Sequence, residues 1–492
     1  MPDDAISFVN PLTVVPPPPP IPLFDDFGLS YGTLNAIGAC SYGAAEYGEI
    51  ATIVARINER GASMLTYYEE YEREGKRLAA LALAETKAGH LHTAREAHLR
   101  AATYFAQALF NVLAASSDED LAAMACGGAV PAEARRKERG VYESVRGNWE
   151  KAGALMDPPM ECVEIPWEGS DIPMPAWFLK AEAGDEPRPT VLFVNGSDGQ
   201  AVEMWGSGIA AALERGWNAL IFDGPGQGSM LFEHNQTFIP EWEKAVSPVV
   251  DYLDARPDVD SGAIFVSGWS FAGYLIPRAL AFEPRVRAAA VDPGAIYVGI
   301  SWTGPLSEFP GLLDLVAAGK SEQVDGEWSG FAAQLPADKQ ASFAKRLELY
   351  PGESFSEKYA QIVRYDNSDV VGQITCPVLV GDNEVEQFFP AQAKQLLKAL
   401  TAAKGSRYLK FTSADGSQYH CEPMAYRRRN AAIMDFFADQ IKGCGRSPLP
   451  SRPFCRASRG AAPRVVTRES AAITSARLLL SGSPPLPQRQ NP

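Results

Sequence analysis

Phe265-Val-Ser-Gly268-Trp-Ser270-Phe-Ala-Gly273 is the stretch on which the reading of this chain turns. An apolar strand-like run ends in Gly-x-Ser-x-Ala-Gly, and a helical pattern over 271–282 begins at once. Strand, sharp turn and helix in that order form the setting of a nucleophile elbow, which lifts a serine hydroxyl clear of a sheet edge. Small residues flank the serine because the tight backbone leaves little room for side chains. Ser270 is the expected nucleophile, and the N–H of Phe271 at the helix start would face a developing oxyanion. Ala272 stands where glycine is usual, a mild departure.

Around this stretch short β-rich runs alternate with helical ones. Cys162–Ile165, Ala176–Leu179, Thr190–Val194, Ala219–Asp223, Ala263–Gly268, Ala288–Asp292, Pro377–Asp382 and Arg407–Thr412 read as strands. Helical patterns lie near 204–215, 241–255 and 271–282. The alternation predicts an α/β fold with a mainly parallel sheet and helices on both faces.

An activated serine needs a base and an acid that orients it. On sheets with such an elbow both follow the serine, acid first and histidine second. The five histidines are His90, His92, His98, His234 and His420. Only His420 follows Ser270, so it is the expected base. The acid is sought just past the strand that begins at Pro377, in Asp382-Asn-Glu384-Val-Glu386-Gln-Phe-Phe-Pro390. The common pattern Pro-x-Leu-x-x-x-Gly-x-x-Asp-x-x-x-Pro, laid on the two prolines, puts Glu386 at the acid position. Asp382 and Glu384 are the alternatives.

The second oxyanion donor is expected from the loop Asn195-Gly-Ser-Asp-Gly199, at the N–H of Ser197 or Asp198. Asp223-Gly-Pro-Gly-Gln-Gly228 closes the next strand. It lacks a following Lys-Ser/Thr and is not Gly-x-Gly-x-x-Gly, so it reads as a tight turn beside the pocket rather than a phosphate cradle.

Outside this core, residues 1–28 form a leader containing the Pro16–Pro20 run, which favours extended polyproline geometry. Residues 29–157 are assigned to one helical domain, whose helical pattern begins at about residue 45 with apolar stripes such as Ile53, Ile57, Met64, Tyr67 and Tyr71. The core spans 158–442. Within it, 297–370 breaks the strand–helix rhythm and reads as a helical insertion over the sheet's C-terminal edge. Its aromatics, among them Trp302, Phe309, Trp328 and Phe331, fit either an apolar ligand or a core. Residues 443–492 hold eight arginines and one glutamate, a local +7 expected to be a solvated extension.

Composition bounds the rest. The chain has 492 residues, a net charge of −15 and 46% hydrophobic residues. Globular composition with this acidity disfavours nucleic acid as a partner. No apolar stretch approaches the ~18 residues that suggest a membrane span. Met1-Pro-Asp-Asp-Ala has neither a basic start nor an apolar h-region, so a cytoplasmic location is expected. Seven cysteines without a Cys-x-x-Cys pair predict neither a disulfide framework nor a zinc site. His90, His92 and His98 read as surface histidines rather than metal ligands.

Asp223-Gly-Pro-Gly-Gln-Gly228, the elbow, Glu386-Gln-Phe-Phe-Pro390 and His420-Cys-Glu-Pro-Met424 occur together in that order. In this the chain resembles the α/β-hydrolases with an N-terminal helical cap, in particular the fungal polyketide-tailoring hydrolases of the yellowish-green, fusarin and cytochalasan pathways. Bacterial dihydroxypseudooxynicotine hydrolase is a more distant likeness. The resemblance covers about residues 45–442. It implies an α/β-hydrolase fold, a Ser-acid-His triad at Ser270, Glu386 and His420, and a substrate pocket between cap and core. Members cleave esters or C–C bonds next to ketones, or assist cyclisation. Glu386 departs from the Asp of some members.

The expectation is therefore a serine hydrolase acting on an ester or ketone-adjacent C–C bond of a polyketide-type small molecule, without metal or organic cofactor. A homodimer is compatible with the chain. The rivals are a peptidase or aminopeptidase of the same fold, a non-hydrolytic cyclisation helper and a binding module.

Overall fold

The computed structural model describes residues 21, 23–299 and 312–442. The Pro16–Pro20 run, Trp302, Phe309, Cys444, Cys455 and the arginine-rich segment lie outside the described residues. Eight strands form one sheet: β1 (Glu161–Trp167), β2 (Ser170–Leu179), β3 (Arg188–Val194), β4 (Asn218–Phe222), β5 (Val259–Trp269), β6 (Ala288–Asp292), β7 (Val378–Asn383) and β8 (Arg407–Phe411). Their order is β1-β2-β4-β3-β5-β6-β7-β8. The pairs β1/β2 and β2/β4 are antiparallel, and every pair from β4/β3 to β7/β8 is parallel. β4, β6 and β7 are buried along their whole length. Helices cover both faces, which is why these strands read as unbroken apolar runs rather than alternating ones.

The connections place the chemistry. β5 feeds directly into the helix Ala272–Leu280, and β3 into the loop that starts at Asn195. Beyond the last regular pairs of β7 and β8, Val385 still bridges Tyr419 in parallel. That added rung brings the residues that follow, Glu386 and His420, side by side. The last helix of the described residues, Tyr426–Lys442, begins six residues after His420, so His420 sits in the loop before it.

Among the described residues six α-helices precede the sheet: α1 (Phe27–Ala39), α2 (Tyr47–Arg60), α3 (Met64–Ala88), α4 (Leu91–Phe110), α5 (Asp118–Ala125) and α6 (Ala132–Ala154). α2 buries Ile50, Ile53, Val54 and Ile57, one stripe at helical spacing. Ser63 and Thr66 cap α3 reciprocally, satisfying two N–H groups that the helix start leaves open. α1 was not read in the sequence. It starts at Phe27, within the stretch assigned to the leader, with the Asp26 carboxylate accepting the N–H of Leu29 at 3.0 Å. Its low amphipathicity explains the miss: glycine, serine and asparagine interrupt any apolar stripe.

The structure overturns the surface placement of His98 and takes Trp328 as core, one of the two alternatives for it. His98 is buried, not on the surface, and its Nδ1 lies 2.8 Å from Asn148 Oδ1. Its position among the alanines of α4 faces α6, and burial lowers the affinity of its ring for a proton. It shares α4 with His92. Trp328 of the insertion belongs to the core: it stacks on Phe355 at 3.9 Å and donates its indole N–H to the Ala125 carbonyl. The described insertion contains the helices Leu312–Ala317, Ser321–Ala332, Ala337–Leu347 and Phe355–Ile362. No helix among the described residues is long and apolar enough to cross a membrane.

Candidate active site

Ser270 occupies the turn between β5 and its helix with φ at 58°. A left-handed backbone is costly for a residue with a side chain, and such strain is held only where its surroundings over-determine it. Here the Ser270 N–H donates to the Asp292 carbonyl at 2.8 Å, and the Gly273 N–H donates to the Ser270 carbonyl at 2.7 Å. A Cβ on Gly273 would lie 1.8 Å from the Pro293 carbonyl oxygen. The last glycine of the motif is thus required by the close approach of helix and neighbouring strand. Ala272 is completely buried.

The structure brings three of the singled-out side chains into one line. Ser270 Oγ lies 2.8 Å from His420 Nε2, and His420 Nδ1 lies 2.8 Å from Glu386 Oε2. With Nδ1–H donating to the carboxylate, Nε2 is left to accept the serine proton. Glu386 is held from the other side: its Oε1 accepts the N–H groups of Phe388 and Phe389 at 2.8 and 3.0 Å. The other two carboxylates are engaged elsewhere. Asp382, still within β7, accepts from Tyr408 Oη at 2.5 Å and Lys410 Nζ at 2.7 Å. Glu384 accepts the Ser413 N–H at 2.5 Å. The three carboxylates stand two residues apart, so strand alternation does not separate them; their partners do, and only Glu386 of the three bonds His420.

The N–H groups of Phe271, Ser197 and Asp198 meet no acceptor among the described residues. All three residues line the cavity into which Ser270 and His420 open. A Cβ on Gly196 would stand 2.7 Å from the Ser270 Cβ, so only glycine lets this loop lie against the elbow. Gln227, from the glycine-rich turn after β4, donates to the carbonyls of Asn195 and Gly196 at 2.7 and 3.2 Å. That turn is bound in its own right. Asp223 accepts from Tyr142 Oη at 2.6 Å and from the Ser229 N–H at 2.8 Å. Burial raises its carboxyl to about 6.

A family model for the alpha/beta hydrolases matches residues 191–454, more than half of the chain. The chain belongs to the alpha/beta hydrolase family. Hydrolase pyiE of Pyricularia grisea is 31% identical to this α/β hydrolase over 273 residues, 54% of this chain and 57% of its own. The 20-hydroxy-prefusarin hydrolase FUS2 of Gibberella moniliformis is 30% identical over 283 residues, 56% of this chain and 60% of its own. The matched part thus spans less than two thirds of these relatives' length. The 2,6-dihydroxy-pseudo-oxynicotine hydrolase crystal structure superposes with a TM-score of 0.58 at 20% identity, over 84% of this chain and 98% of that one. At that identity the likeness is one of fold.

Several residues around the site of this α/β hydrolase escaped the sequence reading. Tyr31 of α1 donates its hydroxyl to the His420 carbonyl at 2.9 Å. Phe388 meets the imidazole edge-on, with ring centres 4.6 Å apart. Arg429 of the last helix is fully buried and holds Asp292 at 2.5 Å and Glu422 at 3.4 Å. Its Nη1 donates to the Ser207 carbonyl at 2.6 Å. Asn383 donates to Glu422 from the opposite side. Burial and the nearby Asp292 charge hold the Glu422 carboxyl well above the ordinary range, while Arg429 opposes them. Cys421 and Glu422, directly after His420, both have positive φ, so this ion cluster fixes the loop that carries the imidazole. In the sequence Arg429 is one of three consecutive arginines, and nothing in that run marks the buried one. No group of three or more His, Cys, Asp or Glu side chains among the described residues is arranged to hold a metal ion.

Proposed function

We propose that this chain is a serine hydrolase cleaving an ester or a ketone-adjacent C–C bond in a polyketide-type secondary metabolite. The observation that carries the reading is the unbroken line Ser270 Oγ–His420 Nε2, His420 Nδ1–Glu386 at 2.8 Å each. The name of the similar FUS2 protein, a 20-hydroxy-prefusarin hydrolase, supports the small-molecule substrate class.

Ser270 Oγ attacks the substrate carbonyl carbon while His420 Nε2 takes its proton. The carbonyl π pair moves onto oxygen, where the N–H groups of Phe271 and of Ser197 or Asp198 hold it. Glu386 keeps the imidazole oriented and stabilises its cation. Collapse expels an alkoxide from an ester, or an enolate from a β-ketone, and the imidazolium returns the proton to it. Water, deprotonated by the same imidazole, then releases the acyl group from Ser270. Base catalysis of this kind contributes about 10²–10⁴-fold, and an oxyanion donor about 10²–10³-fold.

A fluorophosphonate probe followed by peptide mapping tests the assignment. A single adduct on Ser270, abolished in His420→Ala, is the expected result. No adduct on the folded protein would sink it. Metabolite profiles of a strain lacking the protein and one carrying Ser270→Ala then separate hydrolysis from a cyclisation role. Hydrolysis requires the same intermediate to accumulate in both.

A further inference from the structure

We propose that Glu203 is a specificity-determining residue of the cavity and that the substrate presents to it a neutral hydrogen-bond donor, a hydroxyl or an amide N–H, on an otherwise apolar acyl part. This deepens the serine-hydrolase reading and rests on it.

Glu203 lies four residues beyond Gly199, the end of the loop that packs against Ser270, and lines the same cavity as Ser270 and His420. That cavity has a volume of about 310 Å³. Phe27, Phe110, Leu113, Leu349 and Phe388 supply much of its wall, a surface suited to a hydrocarbon chain or ring. A carboxyl group set into such a wall is costly unless its oxygens are satisfied.

Two donors reach it. The Gln200 N–H donates to Oε2 at 2.7 Å, and Gln107 Nε2 donates to Oε1 at 3.3 Å. Gln107 is oriented for this by Tyr67, whose hydroxyl donates to Gln107 Oε1 at 2.8 Å. In its ionised form a carboxylate offers about four acceptor sites, so two remain in that form. No cation forms an ion pair with Glu203 among the described residues. Burial, with the charge of Asp198 nearby, pushes the carboxyl up to about 7, against the Gln200 N–H.

The charges around the cavity define the ligand. Lys339, Lys345 and Arg346 also line it; Lys339 pairs with Asp26 of the same wall at 3.8 Å and Lys345 with Glu348 at 2.8 Å, so the wall has no net negative field to draw in a cationic ligand. Asp198 lines it too, its Oδ2 accepting from Ser197 Oγ at 2.9 Å, which together with Glu203 opposes an anionic one. A neutral O–H or N–H needs no such field, meets no repulsion and fills an acceptor site that water would otherwise occupy. Sites built to hydrogen-bond a substrate group reject the analogue that lacks it far more strongly than apolar pockets reject a missing methylene.

The test is a series of p-nitrophenyl esters of straight-chain acids from four to ten carbons, each compared with its ω-hydroxy and ω-ammonio counterparts on the full-length protein. At one chain length or more, the ω-hydroxy ester should show a kcat/KM at least about 10-fold above its parent, expressed mainly in KM. The ω-ammonio ester should show none of that gain. In Glu203→Met the hydroxy-to-parent ratio should fall to near one. In the isosteric Glu203→Gln, which serves if the methionine variant does not fold, it should fall several-fold. A flat ratio at every length in the wild type, a preference for the ammonio ester, or an undiminished ratio in a folded variant would overturn the proposal. Hydrolysis with a flat ratio removes the donor assignment alone. Failure to hydrolyse any ester, with no phosphonate adduct on Ser270, removes the serine-hydrolase reading as well.

Discussion

The amide of Ser270 and the carbonyl of Asp292 are joined by a 2.8 Å hydrogen bond, and the side chain of the same Asp292 is held by Arg429. The elbow is therefore tied to the last helix through the end of β6. Cys421, next to His420, also directs its thiol at the Asp292 carbonyl, at 3.4 Å. One backbone oxygen thus references both the proposed nucleophile and the proposed base. That is how residues 150 positions apart keep a hydrogen-bonding distance.

Ser270→Ala should lower kcat by at least ~10³-fold with little change in the melting temperature, and His420→Ala should do the same. Steady-state turnover of an activated ester, together with a thermal melt, checks this. A variant within tenfold of wild type would remove Ser270 from the chemistry.

Among the three carboxylates after β7, Glu386→Gln should cost about 10²–10⁴-fold in kcat, because the imidazole loses its oriented tautomer. Asp382→Asn and Glu384→Gln should stay within about threefold, since their oxygens face Lys410 and Ser413 rather than His420. Equal losses in all three would mean that the loop, not the acid, is being measured.

Arg429→Met leaves the Asp292 carboxylate buried without its counter-ion. Breaking a buried pair in this way costs about 3–5 kcal/mol. Chemical denaturation should show a midpoint shift of that size. A loss under ~1 kcal/mol would mean that Asp292 and Glu422 satisfy each other without the arginine.

Asp258 gives a pH signature. Burial alone would raise its carboxyl, but Arg256 at 2.7 Å and Lys180 at 2.7 Å outweigh it and bring it down to about 2. The folded value lies below the unfolded one. The group's contribution is therefore present above about pH 4 and is lost as pH falls toward 2. Asp258→Asn should destabilise the protein by about 2 kcal/mol at pH 7 and by progressively less as pH falls below 4. A pH-independent difference would place the cost in packing instead of charge.

Much of the fold was legible because each β-run is short, apolar and bounded by turn residues. Ala288–Asp292 was read to the residue, and the other seven strands overlap the runs assigned to them. Ser270 and His420 could be singled out because motif and order in the chain leave few candidates. α1 and its Tyr31 could not, since nothing periodic marks that segment. Gln227 stood inside a recognised turn, yet the two carbonyls it holds lie more than thirty residues away.

Local sequence determined the elbow itself: an apolar strand, a serine between small residues, and a helix that starts at once allow few other backbones. It also determined the parallel sheet, through runs apolar on both faces. Which carboxylate meets His420 was decided only by tertiary structure. The three carboxylates share one parity, so alternation along β7 cannot choose among them; the extra rung between Val385 and Tyr419 brings Glu386, and not the other two, beside His420. The same holds for Glu203 and Arg429. Their charges look like surface charges in the chain, and only the packing of distant elements around them makes one a cavity wall and the other a buried tie.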